Sequence, residues 1–335
     1  MPHPDRLLAS SEWLVQAIDP RARLARLVRM DRADYRDASF LDDRLMLKEP
    51  ESRLCGLDEL IAASSGVAAP AAGWIFHIGH VGSTLVSRLL GELDGVLALR
   101  EPRSLRDIAA AGETERAPLA RALARLMARR RSDDSAVIVK ATSFVSEFAP
   151  QLMEPGAAAL FLYASPGNYV ASILAGENSI KELAALHEIR AKRLAGRGIT
   201  LAGFDRTNAH RAAAAWACEM TSLEAAAGAM PDRKILWADF DCMLDDMNGW
   251  VGRCAGHFGI PVSPGQMDEL IAGPLMRRYS KALEYDYSPS LRAELLAEAA
   301  REHRDEMDVA FSGLREAAKS APLLARALER AEREC

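Results

Sequence analysis

The hydrophobic positions along the chain form short apolar runs that alternate with longer stretches of helical periodicity. The apolar runs are WIFHI (74–78), VLAL (96–99), AVIVK (136–140), AALFLYA (158–164) and KILWAD (234–239). The helical stretches are STLVSRLLGEL, RAPLARALARLMARRR, SFVSEFAPQLM, GNYVASILAG and the segment 205–228. Apolar strands separated by amphipathic helices are typical of a parallel sheet with helices on both faces. The pattern therefore predicts an α/β fold.

The two ends of the chain have a different pattern. Before residue 62, SEWLVQAID begins with a serine typical of a helix start, and PRARLARLVRM places Leu24, Leu27 and Met30 on one helical face. The small residues and proline of SSGVAAPAAG (64–73) mark a boundary. We therefore expect a helical N-terminal segment over 1–70, an α/β domain over 71–290, and C-terminal helices over 291–335 packed on that domain.

Composition restricts the class of protein. Of 335 residues, 49% are hydrophobic and 27% charged, which is ordinary for a globular protein. The chain has no run of 18 apolar residues, and its polar, proline-interrupted start does not resemble a signal peptide. A net charge of −5 argues against nucleic acid as a partner. We expect a cytoplasmic protein that does not bind membranes.

The cysteines give little support for a structural metal or a disulfide framework. The five cysteines are scattered and contain no CxxC pair. An odd number of dispersed cysteines argues against a disulfide framework or a zinc site and suits a reducing cytosol. No metal is expected.

A candidate anion site lies where the first apolar run meets its helix. In WIFHIGHVGSTLVSRLL a strand leads into a turn with Gly79 and Gly82, and a helix begins with Ser83 and Thr84. Unpaired amides and the positive end of the macrodipole favour an anion at such a helix start. The same residues also fit an ordinary turn with an N-terminal cap, so both interpretations stay open here.

The loop does not fit the two commonest phosphate motifs. The ATP-type sequence G-x-x-x-x-G-K-[ST] requires a lysine where Ser83 stands and a glycine where His77 stands. The dinucleotide sequence G-x-G-x-x-G is also absent from this loop. It is a phosphate loop of another kind, or none.

Five segments in order resemble the cytosolic-type and bacterial sulfotransferases. They are HVGSTL, VLALREP, VIVKATS, LFLYASPGNYVAS and ILWADFDCML with HFGIP, and they span about residues 73–285. The resemblance implies a P-loop-like α/β fold and transfer of a sulfuryl group from 3′-phosphoadenosine 5′-phosphosulfate (PAPS) to a hydroxyl or amine. It also implies that Gly79, His80, Val81, Gly82, Ser83 and Thr84 bind the donor's 5′-phosphosulfate.

The chain departs from the family at the loop lysine. The family's loop reads Lys/Arg-Ser-Gly-Thr/Ser-Thr, whereas His80 stands at the first position here. A nearby phosphate favours the charged form of an imidazole, and an imidazolium donates hydrogen bonds. We expect His80 to take the lysine's role; the alternative is a neutral turn residue and a weakened or lost activity.

A second departure concerns the donor's 3′-phosphate. The family grips it with an arginine and with a serine eight positions later; here these are Ala164 and Ser172. The late segment GPLMRRYSKALEYDYS is expected to supply the missing charge through Arg277, Arg278 or Lys281. The alternative is a solvated charged turn.

The resemblance also points to residues for the chemistry. The histidine that serves as base in animal cytosolic members is Thr142 here, two positions after Lys140. Several bacterial and carbohydrate members use a glutamate after the first βα unit, and Glu101 matches it. We expect Glu101 to be the general base, or else part of a strand-end turn, and Lys140 to be a second phosphosulfate contact.

The remaining polar candidates have weaker grounds. His77 is interpreted as a core histidine, and Glu177 and Lys181 as neighbours of the acceptor pocket. The acceptor, a small molecule or peptide, is not identified by the sequence. Residues 1–70 are candidates for lining its pocket or for a homodimer interface.

Two other functions remain open. One is an ATP-dependent kinase-like transferase, for which Asp239 and Asp241 are the only candidate Mg²⁺ ligands at a strand end. The other is a non-catalytic nucleotide-binding relative.

Overall fold

The strands lie in two sheets, and the five apolar runs form the larger one. The computed structural model describes residues 4–67, 70–201, 203–278 and 288–333. The strands are β1 (Trp13–Asp19), β2 (Leu24–Arg29), β3 (Ser52–Gly56), β4 (Gly73–His77), β5 (Val96–Arg100), β6 (Ala136–Lys140), β7 (Ala158–Tyr163) and β8 (Lys234–Asp239).

The helices occupy most of the remaining described chain. In order, they are α1 (Pro4–Ala9), α2 (Arg32–Asp37), α3 (Leu57–Ser65), α4 (Ser83–Gly91), α5 (Arg103–Asp107), α6 (Glu113–Met127), α7 (Ala149–Leu152), α8 (Pro166–Leu174), α9 (Glu177–Gly196), α10 (Asn208–Gly228), α11 (Phe240–Asp245), α12 (Met247–His257), α13 (Pro264–Ala272), α14 (Pro289–Glu302), α15 (Arg304–Ala318) and α16 (Pro322–Ala331). Short 3₁₀ helices lie at Asp43–Lys48, Ile108–Ala110, Ser143–Phe148 and Pro274–Arg277.

The larger sheet is parallel, with the strand order β5-β6-β4-β7-β8. Every residue of β5 and β6 is buried, so helices and loops cover both faces of the sheet there. Continuous burial explains why these strands are uninterrupted apolar runs rather than alternating ones. The predicted α/β class with a covered parallel sheet is confirmed.

The strand order places a crevice at the end of β4. This strand is the first of the sheet in the chain but lies in its middle, with β6 on one side and β7 on the other. Where the chain order reverses across a parallel sheet, the loops at the carboxyl ends diverge and leave room for a ligand. The loop that joins β4 to α4 starts at this point.

The expectation of an N-terminal segment made only of short helices is wrong. β1, β2 and β3 form an antiparallel sheet in which β2 is central. Leu24 is exposed whereas Leu27 is fully buried, so the helical spacing of these residues is coincidental. β2 pairs on both edges, and this non-local hydrogen bonding overrides the local periodicity.

The N-terminal sheet shares one hydrophobic core with the parallel sheet, because Leu14 and Leu27 belong to the same buried cluster as Ile75 and Val139. Polar contacts reinforce the junction. Ser104 donates its hydroxyl hydrogen to the Val15 carbonyl at 2.6 Å.

Arg129, just after α6, is the main polar tie to the start of the chain. Its guanidinium donates to the carbonyls of Leu8, Ser10 and Trp13, each at 2.6 Å, and burial lowers its pKa to about 10.

At the other end of the chain, α15 and α16 pack against α10, and α14 packs against α8. The buried thiols of Cys55, Cys218 and Cys254 are free, and Cys242 is disulfide-bonded. Among the described helices, none is both long and apolar enough to cross a membrane.

Replacing Arg129 with methionine should lower the free energy of unfolding by about 3 kcal/mol, because three carbonyls, two of them buried, lose a charged donor. Urea denaturation measures the change. The control is Arg121→Met on the exposed side of α6, which should stay within about 0.5 kcal/mol of the parent. Equal losses in both variants would contradict the proposed role of Arg129.

Candidate functional site

A cavity of about 490 Å³ opens at the carboxyl ends of β4, β5 and β6. Most of the sequence-predicted site residues line it: Gly79, His80, Val81, Gly82, Ser83, Thr84, Glu101, Lys140, Ser172 and Arg278. Residues from four separate parts of the resemblance therefore meet in one place.

The loop from Ile78 to Gly82 is held in an unusual backbone conformation. Gly79, His80 and Gly82 have φ of +84°, +55° and +60°. Left-handed backbone at a non-glycine residue such as His80 is uncommon and often marks a functional site. Such conformations turn successive amides inward, as in anion-binding nests.

His77 fixes this loop to the neighbouring strand. Its Nδ1 accepts the Gly79 amide hydrogen at 3.0 Å, and its Nε2 lies 2.9 Å from the Ala141 carbonyl oxygen. Nε2 therefore carries the hydrogen and Nδ1 the lone pair. The interpretation of His77 as a satisfied core histidine agrees with this geometry, and the residue also orients the loop.

The start of α4 lacks an ordinary cap within the described chain. Gly82 occupies the cap position and offers no side-chain hydrogen bond. Thr84 is 1% exposed, and its hydroxyl oxygen has no hydrogen-bond partner among the described residues. Uncapped amides together with an unused buried hydroxyl favour the anion site over the simple turn.

Gly82 is required for a reason that the sequence does not reveal. A Cβ atom at this position would overlap the ring of Phe240, the first residue of α11. The Phe240 ring leaves no room for a side chain at position 82, so the glycine is needed for packing and not only for the approach of a ligand. Phe240 also lines the cavity, so α11 forms the wall next to the loop.

Glu101 and Lys140 form an ion pair at the cavity wall. Lys140 is 1% exposed, and the Glu101 amide donates to the Lys140 carbonyl at 2.8 Å. Glu101 has φ of +52°, a second strained non-glycine backbone. Its Oε1 also lies 3.9 Å from Nε2 of His77. The pair places a carboxylate and an ammonium next to the phosphate-type loop.

The N-terminal segment contributes Phe40 and Arg44 to the cavity, which sequence reasoning missed. The Arg44 guanidinium stacks 3.6 Å from the centroid of the Phe40 ring, and Lys140 Nζ lies 5.6 Å from that centroid. The N-terminal segment therefore forms part of the wall of this cavity. These residues precede the region of resemblance, so no motif pointed to them.

Backbone contacts hold Phe40 at the cavity. Leu41 donates to the Arg100 carbonyl at 2.7 Å and accepts from the Arg103 amide at 3.2 Å. The buried guanidinium of Arg100 donates to the Ala38 carbonyl at 2.8 Å. Burial lowers the pKa of Arg100 to about 10.

The helix α9 reaches the cavity with residues other than those predicted. Glu177 and Lys181 do not line it, whereas Gly176, Ser179 and Glu182 do. Glu177 and Lys181 were predicted from their position after Ser172 alone, which does not show which side of α9 faces the cavity.

The predicted cations of the late segment are only partly brought to the site. Arg278 lines the cavity, Arg277 is exposed away from it, and Lys281 lies outside the described residues. Ala164 is fully buried and does not reach the cavity. A further arginine that sequence reasoning missed, Arg292 in the first turn of α14, lines the cavity.

The two candidate Mg²⁺ ligands are already engaged. The Asp239 carboxylate accepts from the Asp241 amide at 2.8 Å, and burial raises the pKa of Asp239 to about 6. The Asp241 carboxylate accepts from Arg292 Nη1 at 2.6 Å and from Asn168 Nδ2 at 2.7 Å. Neither aspartate lines the cavity. Within the described ranges, no cluster of three or more acidic, histidine or cysteine side chains is suited to a metal ion.

Comparison with known proteins gives limited information. No protein-family model matches the chain, and no curated protein does. A structure titled "Sulfotransferase Domain from the Curacin Biosynthetic Pathway" is similar over 70% of this chain and 97% of that one, at 10% identity and a TM-score of 0.41. A sulfotransferase from Alicyclobacillus acidocaldarius is similar over 72% and 97%, at 15% identity and a TM-score of 0.37. At these TM-scores and identities, neither similarity carries an argument about fold or function.

Replacing Gly82 with alanine should displace the Phe240 ring and strain the positive-φ backbone, at a cost of about 2 kcal/mol or more. Gly256→Ala is the matched control, since a Cβ there meets no atom within 4 Å and α12 gains a better helix former. Thermal unfolding separates the two variants. A Gly82→Ala protein as stable as the parent would contradict the close packing of Phe240 on the loop.

Proposed function

We propose that the protein transfers a sulfuryl group from PAPS to a hydroxyl or amine of an acceptor. The observation that carries this proposal is the meeting, in one cavity, of the uncapped start of α4 with the ion pair between the buried Lys140 and Glu101. The motif resemblance between residues 73 and 285 identifies the group that such a loop would hold. Without that resemblance, the site would indicate only transfer of an anionic group.

The donor's 5′-phosphosulfate would lie against the loop. The amides at the start of α4 and the hydroxyls of Ser83 and Thr84 are donors suited to its oxygens. His80, in its left-handed conformation at the cavity wall, would donate a hydrogen bond to the oxygen that bridges phosphorus and sulfur. That oxygen gains negative charge as the reaction proceeds, so a donor there stabilises the transition state.

The chemical step is an in-line displacement at sulfur. The acceptor oxygen or nitrogen forms a bond to sulfur while the bond from sulfur to the bridging oxygen breaks, and adenosine 3′,5′-bisphosphate leaves with that electron pair. Glu101 takes the acceptor's proton. Lys140, beside it, would neutralise a sulfonate oxygen. Positioning and charge compensation are the main contributions of the protein.

The competing functions have less support. A kinase-like reaction would call on Asp239 and Asp241 for Mg²⁺, but the first caps its own helix and the second holds Arg292 and Asn168. A non-catalytic nucleotide-binding protein has no need of a buried lysine paired with a strained glutamate at the cavity wall.

The acceptor would approach from the side lined by Phe40, Arg44 and Glu101. A small molecule or peptide fits a cavity of about 490 Å³ that also has to hold the donor. Together with the expected cytoplasmic location, this acceptor class is part of the proposal.

Ligand binding tests the proposed donor. Adenosine 3′,5′-bisphosphate at 100 times its dissociation constant should raise the free energy of unfolding by about 2.7 kcal/mol, without added Mg²⁺. Thermal-shift measurements with the bisphosphate, 5′-AMP and ATP, each with and without Mg²⁺, compare the candidates. Stabilisation by Mg·ATP alone would favour the kinase, and no stabilisation by any of them would remove the proposal.

Glu101→Gln should reduce sulfation by about 100-fold or more, because the amide cannot accept the proton. The affinity for the bisphosphate should stay near that of the parent, since Lys140 keeps a hydrogen-bond acceptor. The assay follows bisphosphate release from PAPS with an acceptor found by screening phenols, alcohols and amines. Glu298→Gln on the exposed side of α14 is the control. Unchanged sulfation by the Glu101 variant, with unchanged donor affinity, excludes Glu101 as the base.

A further inference from the structure

Arg292 stands at an unfavourable place for a stabilising arginine. It lies in the first turn of α14, which begins at Pro289 after the Ser288 cap. A cation at the start of a helix opposes the macrodipole and lowers helix stability. Its position therefore calls for a compensating interaction or a ligand.

The guanidinium is held in a fixed orientation at the cavity wall. Nη1 donates to Asp241 Oδ1 at 2.6 Å, and the other oxygen of that carboxylate accepts from Asn168 at 2.7 Å. The guanidinium carbon lies 5.3 Å from the centroid of the Phe240 ring. With 14% of its side chain exposed, Arg292 is pre-oriented rather than free to swing into solvent.

Donor capacity remains after these contacts. Nη2 of Arg292 is buried and has no hydrogen-bond partner within the described part of the chain. A guanidinium has five N–H donors in a planar fork that matches phosphate oxygens. A buried donor left without a partner is costly unless a ligand or water completes it.

Phe240 relates Arg292 to the phosphate-type loop. The ring that packs on Gly82 also lies next to the Arg292 guanidinium. Gly82, Phe240 and Arg292 all line the cavity. Arg292 is thus close to the loop, yet it approaches from α14 rather than from the α4 amides. This arrangement suits a ligand with a second anionic group apart from the one at the loop.

We propose that Arg292 binds the 3′-phosphate of the donor nucleotide. The inference rests on the proposed function and deepens it, since it names the residue that selects a nucleotide with a separate 3′-phosphate. Ala164 is buried away from the cavity and has no charge to offer. Arg292 follows the region of resemblance, so no family motif assigns it this role.

Isothermal titration with adenosine 3′,5′-bisphosphate and with 5′-AMP tests the proposal, because the two ligands differ only in the 3′-phosphate. The parent should bind the bisphosphate more tightly. Arg292→Gln should weaken bisphosphate binding by about 10- to 100-fold and leave 5′-AMP binding unchanged. Arg301→Gln, an exposed arginine of the same helix outside the cavity, should leave both affinities unchanged.

Arg292→Lys provides a variant that keeps the charge next to Asp241. It should retain the fold and lose part of the preference for the bisphosphate over 5′-AMP, because an ammonium lacks the planar, forked N–H donors of a guanidinium. It replaces the glutamine variant in the titrations if that protein does not fold.

The outcomes separate the two proposals. If Arg292→Gln weakened the binding of both ligands equally, or left the preference for the bisphosphate over 5′-AMP unchanged, the proposed role of Arg292 would be overturned while the donor site would stand. If the parent bound the bisphosphate and 5′-AMP with equal affinity, the protein would have no 3′-phosphate site, and the proposed role of Arg292 would again be overturned. A parent that binds neither ligand contradicts the proposed function itself.

Discussion

The burial of Lys140 is the constraint on which the rest of the site depends. An ammonium that is 1% exposed at the end of β6 is too costly to keep without a counter-charge, and Glu101 supplies it. To do so, Glu101 adopts a left-handed backbone at the end of β5, where its amide bonds to the Lys140 carbonyl. The Phe40 ring lies beside the Lys140 ammonium, and the buried guanidinium of Arg100 bonds to the backbone of Ala38, two residues before Phe40. The N-terminal segment therefore contributes to the surroundings of the lysine.

A second set of contacts holds the loop at residues 78–82 in its left-handed conformation, although the loop contains no lysine. His77 ties the loop to β6 through its two ring nitrogens, and the Phe240 ring closes it from the side of α11. Both contacts are made by residues that do not need to touch a ligand group directly. Pre-organisation of this kind lowers the cost of ordering the loop when an anion binds. It also explains how a turn with glycines can be rigid enough for chemistry.

The parallel strands and the loop could be predicted from the sequence because their signals are local. β4 to β8 are apolar runs between turns, and Gly79, Gly82 and Thr84 follow the first of them directly. β1 and β2 could not be predicted, since their pairing is non-local and the spacing of Leu24 and Leu27 imitates a helix. Phe40, Arg44 and Arg292 were missed for a related reason: each reaches the cavity from far away in the chain, with no motif around it. Gly82 could be located in the turn from the sequence, but the Phe240 ring that a side chain there would meet is a tertiary contact.

Under the proposed reaction, the Lys140–Glu101 pair couples donor binding to proton transfer. In the free protein the Lys140 ammonium is paired with Glu101. A phosphosulfate at the loop would compete for that ammonium, because its anionic oxygens would lie in the cavity that Lys140 lines. If Lys140 turned toward the donor's oxygens, the Glu101 carboxylate would be released to accept the hydrogen of the acceptor. The buried lysine would thus serve stability in the free protein and donor binding in the proposed reaction.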